Sequence, residues 1–461
     1  MEYRIQHLNF AYQEEPVLVD LNLTLPAGEL YLFSGPSGSG KSTLLRIMAG
    51  LLPRYGGTLT GEVSGVEPGT ASLMFQDPSL QFALDTPRHE VEFALENLAL
   101  PANQIPAKVE QALKFCQADH LADRRLVTLS GGEQQLVALA ITVAMDSQLI
   151  LLDEPFASLD HDHRTQLLAR LVELKNQGKT VIIADHDLQG YRQYQPTVIA
   201  FEKGCCRLLQ GEEATERFDQ AEQLAKPLPA YLPTEGTTPL FSLADLKLIT
   251  NGATLLTIDQ LGLFKDRVTL LTGESGSGKT TLFRALTKLR PYLGSVTYQG
   301  QEIKQADLAA PYARQVGLVF QRASDQYLNV TVKEELELSQ QQGQNPYFTP
   351  ERVQAALKKL GLTGMDERVV YSLSGGQQKK LQLLLMLMMG QPVLLLDEPF
   401  AGLDSKSIEV VWELIDASRQ VWPQTLIIIS HQLAGLANHI DYRLHLADHH
   451  LTYQGEVHHE S

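Results

Sequence analysis

The sequence predicts an α/β fold built twice in tandem, and three observations predict it. A glycine-rich loop of the form G-x-x-x-x-G-K-[ST] occurs at Gly35–Ser42 and again at Gly273–Thr280. Each loop stands between a short apolar run and a helical pattern, Leu30–Ser34 then Thr43–Met48, and Val268–Thr272 then Thr281–Leu286. Later motifs recur in the same order, offset by 238 positions at the lysines (279 − 41) and 244 at an acidic pair (397 − 153). Strand, glycine loop, helix is the context in which such a loop wraps phosphate. Motifs repeated in register are the mark of a duplicated domain.

The remaining elements follow from the pattern of apolar residues. Gln148–Leu152 and Val393–Leu396 are continuous apolar runs, as are Val181–Ala184 and Leu426–Ile429, and such runs suit a parallel sheet buried on both faces. Leu136–Met145 and Leu381–Met389 are apolar nearly all round, which predicts buried core helices. The longest apolar run, Leu383–Met389, falls far short of the ~20 residues that span a bilayer, so no direct lipid span is expected. Domains are placed at 1–210 and 239–461. Between them Gly211–Thr238, rich in Glu, Ala and Pro, reads as a tether, helical in part and extended near its prolines.

Composition excludes some classes. With 44% hydrophobic and 20% charged residues, 461 residues supply two ordinary cores. A formal charge of −16 argues against a nucleic-acid partner held through its phosphates. Cys116, Cys205 and Cys206 have neither disulfide nor metal-ligand spacing and read as free thiols in a reducing compartment. The charged start, Met1–Gln6, is not expected to act as an export signal. His449-His450 and His458-His459 are expected on a terminal hairpin and tail, without a metal role.

The chemistry-bearing residues come in matched sets. In the glycine loops Gly35, Ser37, Gly38 and Gly40, and Gly273, Ser275, Gly276 and Gly278, turn backbone amides toward phosphate oxygens. Lys41 and Lys279 bring a cation to the β- and γ-phosphates, and Ser42 and Thr280 offer a hydroxyl to Mg²⁺. Thr43 and Thr281 open the helices, whose N-termini add partial positive charge. Asp153 and Asp397 follow buried strands, where an acid is costly unless it holds something such as Mg²⁺ through water. Glu154 and Glu398 come next, placed to orient or deprotonate an attacking water. His186 and His431 lie 32 and 33 residues further on (186 − 154 and 431 − 398), at strand ends where an imidazole can bond the γ-phosphate. Gln76 and Gln321 lie between loop and acid, and an amide there can touch Mg²⁺ and water. Ser130-Gly131-Gly132 and Ser374-Gly375-Gly376 are a hydroxyl and two unhindered amides opening a helix, a second anion-binding terminus. Two such termini cannot easily meet on one phosphate within one domain. Each is therefore expected to serve the other half's loop, head to tail.

These residues resemble the ATP-binding cassette (ABC) ATPases: Walker A, Gln loop, Leu-Ser-Gly-Gly signature, Walker B, the Ser158-Leu159-Asp160 and Gly402-Leu403-Asp404 loops, and the switch histidine. The resemblance implies two tandem P-loop NTPase domains, each a mixed, mainly parallel sheet with an antiparallel edge and a helical subdomain. It implies ATP and Mg²⁺ as cofactors and two hydrolytic sites. One site would combine the first half's set with Ser374–Gly376, the other the second half's set with Ser130–Gly132. The family commonly stacks adenine on an aromatic residue, and Tyr12 stands 23 residues before Gly35; the equivalent point before Gly273 is Thr250, flanked by Ile249 and Asn251. Adenine there is expected on aliphatic surface.

The stretch Phe75-Gln76-Asp77-Pro78-Ser79-Leu80-Gln81 resembles the Phe-Gln-Asn-Pro-Asp-x-Gln pattern of energy-coupling factor (ECF) importers. Phe320–Gln326 keeps the second glutamine and lacks the proline. Thr86–Val91 and Thr331–Leu336 are similar to the group's Thr-Val-x-Glu-Asp-Val stretch. The resemblance implies an ATPase subunit on the cytoplasmic face of the cell membrane, serving an integral membrane coupling subunit and a small substrate-binding membrane subunit. The cargo would be a vitamin, a vitamin precursor or a transition-metal ion. A ribosome-associated ABC-F ATPase would be expected to carry a longer charged linker and a more basic surface, and a fused sugar-import ATPase often has one degenerate cassette.

Overall fold

The computed structural model describes residues 2–13, 15–67, 69–224, 231–234, 236–250, 253–303, 310–433 and 435–455. The chain divides into two units, Met1–Leu224 and Ala225–Ser461. The first runs β1 (Glu2–Tyr12), β2 (Glu15–Pro26), β3 (Leu30–Ser34), α1 (Lys41–Met48), β4 (Thr58–Ser64), β5 (Ala71–Met74), α2 (Pro87–Asn97), α3 (Ile105–Phe115), α4 (Gly131–Ala144), β6 (Leu149–Asp153), α5 (His161–Asn176), β7 (Thr180–Ala184), β8 (Thr197–Glu202), β9 (Cys205–Leu208) and α6 (Glu212–Leu224). The second runs β10 (Phe241–Thr250), β11 (Ala253–Leu263), β12 (Val268–Gly273), α7 (Lys279–Leu286), β13 (Leu293–Tyr298), β14 (Gln301–Glu302), α8 (Ala310–Ala313), β15 (Val316–Val319), α9 (Val332–Gln342), α10 (Pro350–Leu360), α11 (Gly375–Met389), β16 (Val393–Asp397), α12 (Ser405–Val421), β17 (Thr425–Ile429), β18 (Tyr442–Ala447) and β19 (His450–Gln454).

In the first unit a sheet of order β5-β6-β7-β3-β8-β9 is parallel except for β9, and an antiparallel sheet β2-β1-β4 accompanies it. In the second unit both parts belong to one ten-stranded sheet, joined where Thr257 of β11 pairs with His450 of β19. Each unit is thus a mixed sheet with a parallel centre, as the apolar runs predict.

Alternation explains why those runs are apolar throughout. Ile150 and Leu152 of β6 enter one core, with the helices α2 to α5, while Leu149 and Leu151 enter another, with α1 and the antiparallel sheet. In β16, Leu394 and Leu396 divide from Val393 and Leu395 in the same way. A strand covered on both faces has no polar side. The α4 and α11 helices are buried nearly all round, and each starts with a capping box, Ser130 with Glu133 and Ser374 with Gln377.

Within the expected tether, the described residues include α6 and a short segment at Tyr231. α6 carries Phe218 into the first core, and Tyr231 bridges to Tyr442 of the second unit, so the division between units falls inside 211–238. His449 and His450 lie at the β18–β19 turn; His458 and His459 fall outside the described residues.

Candidate active site

Parallel pairing brings the C-terminal ends of β3, β5, β6 and β7 to one edge: Met74 pairs with Leu152, Asp153 with Ala184, and Phe33 with Ala184. The glycine loop, Gln76, Asp153, Glu154 and His186 all leave from that edge, where α/β sheets bind ligands. In the second unit Val319 pairs with Leu396, Asp397 with Ile429 and Leu271 with Ile429, and the same edge forms.

The loops need their glycines. Gly35 (φ +156°) could not carry a Cβ, which would lie 2.3 Å from the Phe201 carbonyl oxygen. Gly40 caps α1 at φ +102°, where a Cβ would meet Leu18 Cδ2 at 2.5 Å. Gly273 and Gly278 repeat both constraints against Leu446 and Leu255. Gly38 and Gly276 sit between them at φ +78°. Ser37 and Ser275 lie in the loops, and Thr43 and Thr281 in the first helical turns. Lys41 Nζ donates to Gly35 O at 2.7 Å and Pro36 O at 3.0 Å, and Lys279 Nζ donates to Gly273 O at 2.8 Å and Glu274 O at 2.7 Å.

The acidic residues lie against other members of their own sets. Ser42 Oγ donates to Asp153 Oδ1 at 2.9 Å, and Gln76 Nε2 to Glu154 Oε2 at 3.0 Å. His186 Nδ1 lies 3.4 Å from Glu154 Oε1. In the second unit the Thr280 hydroxyl bonds Asp397, and His431 approaches Glu398 through its backbone amide at 3.3 Å and Nε2 at 3.6 Å. Both glutamates hold left-handed backbones, φ 48° at Glu154 and 46° at Glu398. Their amides donate to Ala184 O and Ile429 O, at 2.8 and 3.0 Å. A non-glycine residue in that region stores strain, and such strain gathers at functional sites.

Oxygen donors of this kind, Ser42 with Asp153 and Thr280 with Asp397, suit a hard cation such as Mg²⁺. Glu398 Oε1 is buried, with His431 Nε2 3.6 Å away. The signature residues Ser130–Gly132 and Ser374–Gly376 lie at the starts of α4 and α11, each serine hydroxyl accepting from the third amide of its helix. Tyr12 ends β1 with its ring edge-on to Phe10 at 4.9 Å. Thr250 ends β10 and accepts from Arg290 Nη2 at 2.8 Å; Asn251 lies outside the described residues.

The sequence profile described as ABC transporter matches residues 18–157 and 256–401, which is most of both units. The chain belongs to the ABC transporter ATPase family. It carries two cassettes, binds ATP, and hydrolyses it in coupling to transport. A Methanosarcina acetivorans protein named as an ABC transporter ATP-binding protein is 30% identical over 95% of this chain and 87% of its own length. A Bacillus subtilis protein assigned the name HMP/thiamine import ATP-binding protein YkoD is 29% identical over 98% of this chain and 91% of its own. Among solved structures, an archaeal ribosome recycling factor, aABCE1, in complex with stalk protein aP1 is similar with a TM-score of 0.60, 22% identity and coverage of 92% and 85%. A structure titled RNase-L Inhibitor gives 0.61, 20% identity and coverage of 94% and 88%. At that identity they establish the shared fold.

The two cassettes differ in electrostatics. Burial and the adjacent Glu154 push Asp153 up to about 7. Burial pushes Glu154 the same way, but the cationic His186 beside it outweighs this and holds the carboxyl low. His186 in turn is raised to about 9: burial opposes its charge, and Glu154 more than compensates. In the second cassette burial and Asp397 push Glu398 up to about 8. The surroundings thus favour the carboxylate form at Glu154 beside a cationic His186, and favour proton retention at Glu398.

Two clusters go beyond the motif residues. Behind His186, the buried Arg164 pairs with Asp187, contacts Asp185 at 3.4 Å and lies over the rings of Phe156 and Tyr191. Tyr191 donates to Asp185 Oδ2 at 2.8 Å. The second cassette has Ile408, Ser430, Gln432 and Leu436 at the matching places (offsets 244 from Asp404 − Asp160 and 245 from His431 − His186). In that cassette, by contrast, Lys379 is buried beside the Gln loop. The signal for both was a comparison of the halves outside their motifs.

Proposed function

We propose that this chain is the ATP-hydrolysing subunit of an ECF-type importer for a vitamin, a vitamin precursor or a transition-metal ion. It would act at the cytoplasmic face of the cell membrane, bound to an integral membrane coupling subunit that works with a small substrate-binding membrane subunit. The observation that carries the reading is an exposed apolar patch beyond each Gln loop. In the first cassette Leu80 (72% exposed), Leu84 and Val127 stand out, and Leu126 N bonds Asp85 O, holding the two stretches together. In the second, Leu328 (82% exposed), Val330 and Tyr371 stand out in the equivalent stretch, with Val370 N bonded to Val330 O as Leu126 N is to Asp85 O. Paired apolar patches that large side chains leave uncovered mark a binding surface. The import role in the name of the Bacillus subtilis relative supports the same cargo class. Among the described residues no helix is long and apolar enough to cross a membrane, so a membrane role needs partner subunits.

ATP would bind with Lys41 and Lys279 on its β- and γ-phosphates, its adenine on Tyr12 in the first site and on the Ile249–Thr250 surface in the second. Bound Mg²⁺ would neutralise phosphate charge, held by Ser42, Gln76 and Asp153 or by Thr280, Gln321 and Asp397. Glu154 and Glu398 would orient the attacking water, with His186 and His431 bonding the γ-phosphate. Each signature would complete the opposite half's site, closing the pair when ATP is bound. Replacing both glutamates, Glu154→Gln with Glu398→Gln, should leave ATP bound and turnover lost. Unchanged turnover would refute these roles. Isolation from native membranes should bring down two small integral membrane proteins; ribosomal proteins in their place would refute the importer reading.

A further inference from the structure

The two Gln loops are held by different means. In the first cassette the segment after Gln76 is capped from within: Asp77 Oδ1 accepts from Ser79 N at 2.9 Å and Ser79 Oγ at 2.7 Å. In the second, Arg322 replaces Asp77 and provides no side-chain cap. Instead the loop is fastened to α11. Lys379 Nζ donates to Gln321 O at 2.6 Å, Phe320 O at 3.2 Å and Gln382 Oε1 at 3.3 Å. Gln382 Nε2 donates to Phe320 O at 2.9 Å and Gln326 Oε1 at 3.3 Å, and Tyr327 Oη to Gln378 O at 2.6 Å. The counterparts in α4 are Gln135 (379 − 244) and Ala138 (382 − 244). Gln135 Oε1 accepts from Ser158 N at 2.8 Å, in the loop after the Walker B strand, and the Ala138 side chain has no donor.

A lysine is a costly residue to bury, and Lys379 is 5% exposed. Its protons go to two backbone carbonyls of the Gln loop and to Gln382 Oε1; burial pushes the lysine down to about 8, and the nearby Asp397 and Glu398 oppose that only in part. Hydrogen bonds from a charged donor are about twice as strong as neutral ones. We infer that Lys379 is a positioning residue: with Gln382 it locks the Gln loop of the second cassette to the helix that begins at the signature. Gln321 then moves only together with α11, whereas in the first cassette the same helix position is bonded to Ser158 rather than to the Gln loop. The same helix position links the signature to the Gln loop in one cassette and to the Walker B loop in the other. The two halves accordingly pass nucleotide state to a partner by different routes.

The test is hydrogen–deuterium exchange on the full chain without nucleotide, comparing the segment 316–328 with 71–83 in Lys379→Met, Lys379→Arg and Gln382→Ala. Lys379→Met should speed exchange around Phe320–Arg322 by roughly tenfold, the loss of about one charged hydrogen bond, while 71–83 stays unchanged. Gln382→Ala should give a smaller increase and Lys379→Arg should restore most of the protection. In steady-state ATPase assays Lys379→Met should lower kcat several-fold with KM for ATP held. Equal acceleration in both segments, or no acceleration in 316–328, would overturn the inference. Exchange is read without any membrane partner, so failure of the importer reading would leave this result standing.

Discussion

Replacing Arg164 by the residue its counterpart position carries, Arg164→Ile, is a sharp test of how the ionic cluster behind His186 stabilises the first unit. The guanidinium side chain is 11% exposed, Asp185 5% and Asp187 20%. Removing the cation strands two carboxylates in a poorly hydrated place, and breaking a buried pair in this way costs about 3–5 kcal/mol. The partial exposure of Asp187 puts the expected loss near the lower end, ~3 kcal/mol. In a unit of this size ~1 kcal/mol moves the midpoint by about 2–4 °C, so the first unit should melt roughly 6–12 °C lower. Scanning calorimetry resolves this best, because the second unit, with Ile408 at the matching place, serves as the internal reference. Replacing the whole cluster by the second half's set, Arg164→Ile with Asp185→Ser, Asp187→Gln and Tyr191→Leu, removes the stranded charges and should recover most of the loss. A loss under ~1 kcal/mol in the single variant, or no recovery in the fourfold one, would refute the reasoning.

Three further outcomes are expected. Gly61→Ala and Gly294→Ala each force a Cβ to within 2.3 and 2.2 Å of a carbonyl oxygen, of His7 and Asp245, at φ near +90°. Each should cost about 2 kcal/mol or more by denaturant titration, and a neutral result would show that the bulges opposite them relax. Tyr12→Ala should weaken ATP binding at the first site by about 2- to 10-fold, the worth of a lost aromatic stack, while Thr250→Ala leaves ATP affinity at the second nearly unchanged; isothermal titration would check it. Under native conditions the exposed Cys205 should react first with a thiol reagent. Burial pushes the Cys116 thiol up and raises Cys206 to about 12, so Cys116 should label only on unfolding, as peptide mapping would show.

Much of this fold was legible because its signals are dense and local. A run such as Leu149–Leu152 can only be a strand covered on two faces, and Gly40 before Lys41 can only open a helix from a left-handed cap. The tether was harder, because the residue that commits α6 to the first unit, Phe218, is a single aromatic in a polar stretch. The motif residues of the site were picked out by their types and order. Arg164, Lys379 and the strained glutamates were not, since each depends on what lies across the fold: an ion pair over 21 residues, carbonyls 58 and 59 positions away, a backbone angle. No periodicity reports such contacts.

The bond from each glutamate amide to the strand that precedes the histidine has a mechanical consequence. Glu154 is fastened to Ala184, and Glu398 to Ile429, by main chain, so side-chain replacement leaves the linkage whole. On the proposed roles, water positioning and phosphate sensing would ride on one main-chain linkage in each cassette, and product release would either carry both together or break that bond. The exchange rates of those two amides during turnover would tell which, and would time the event.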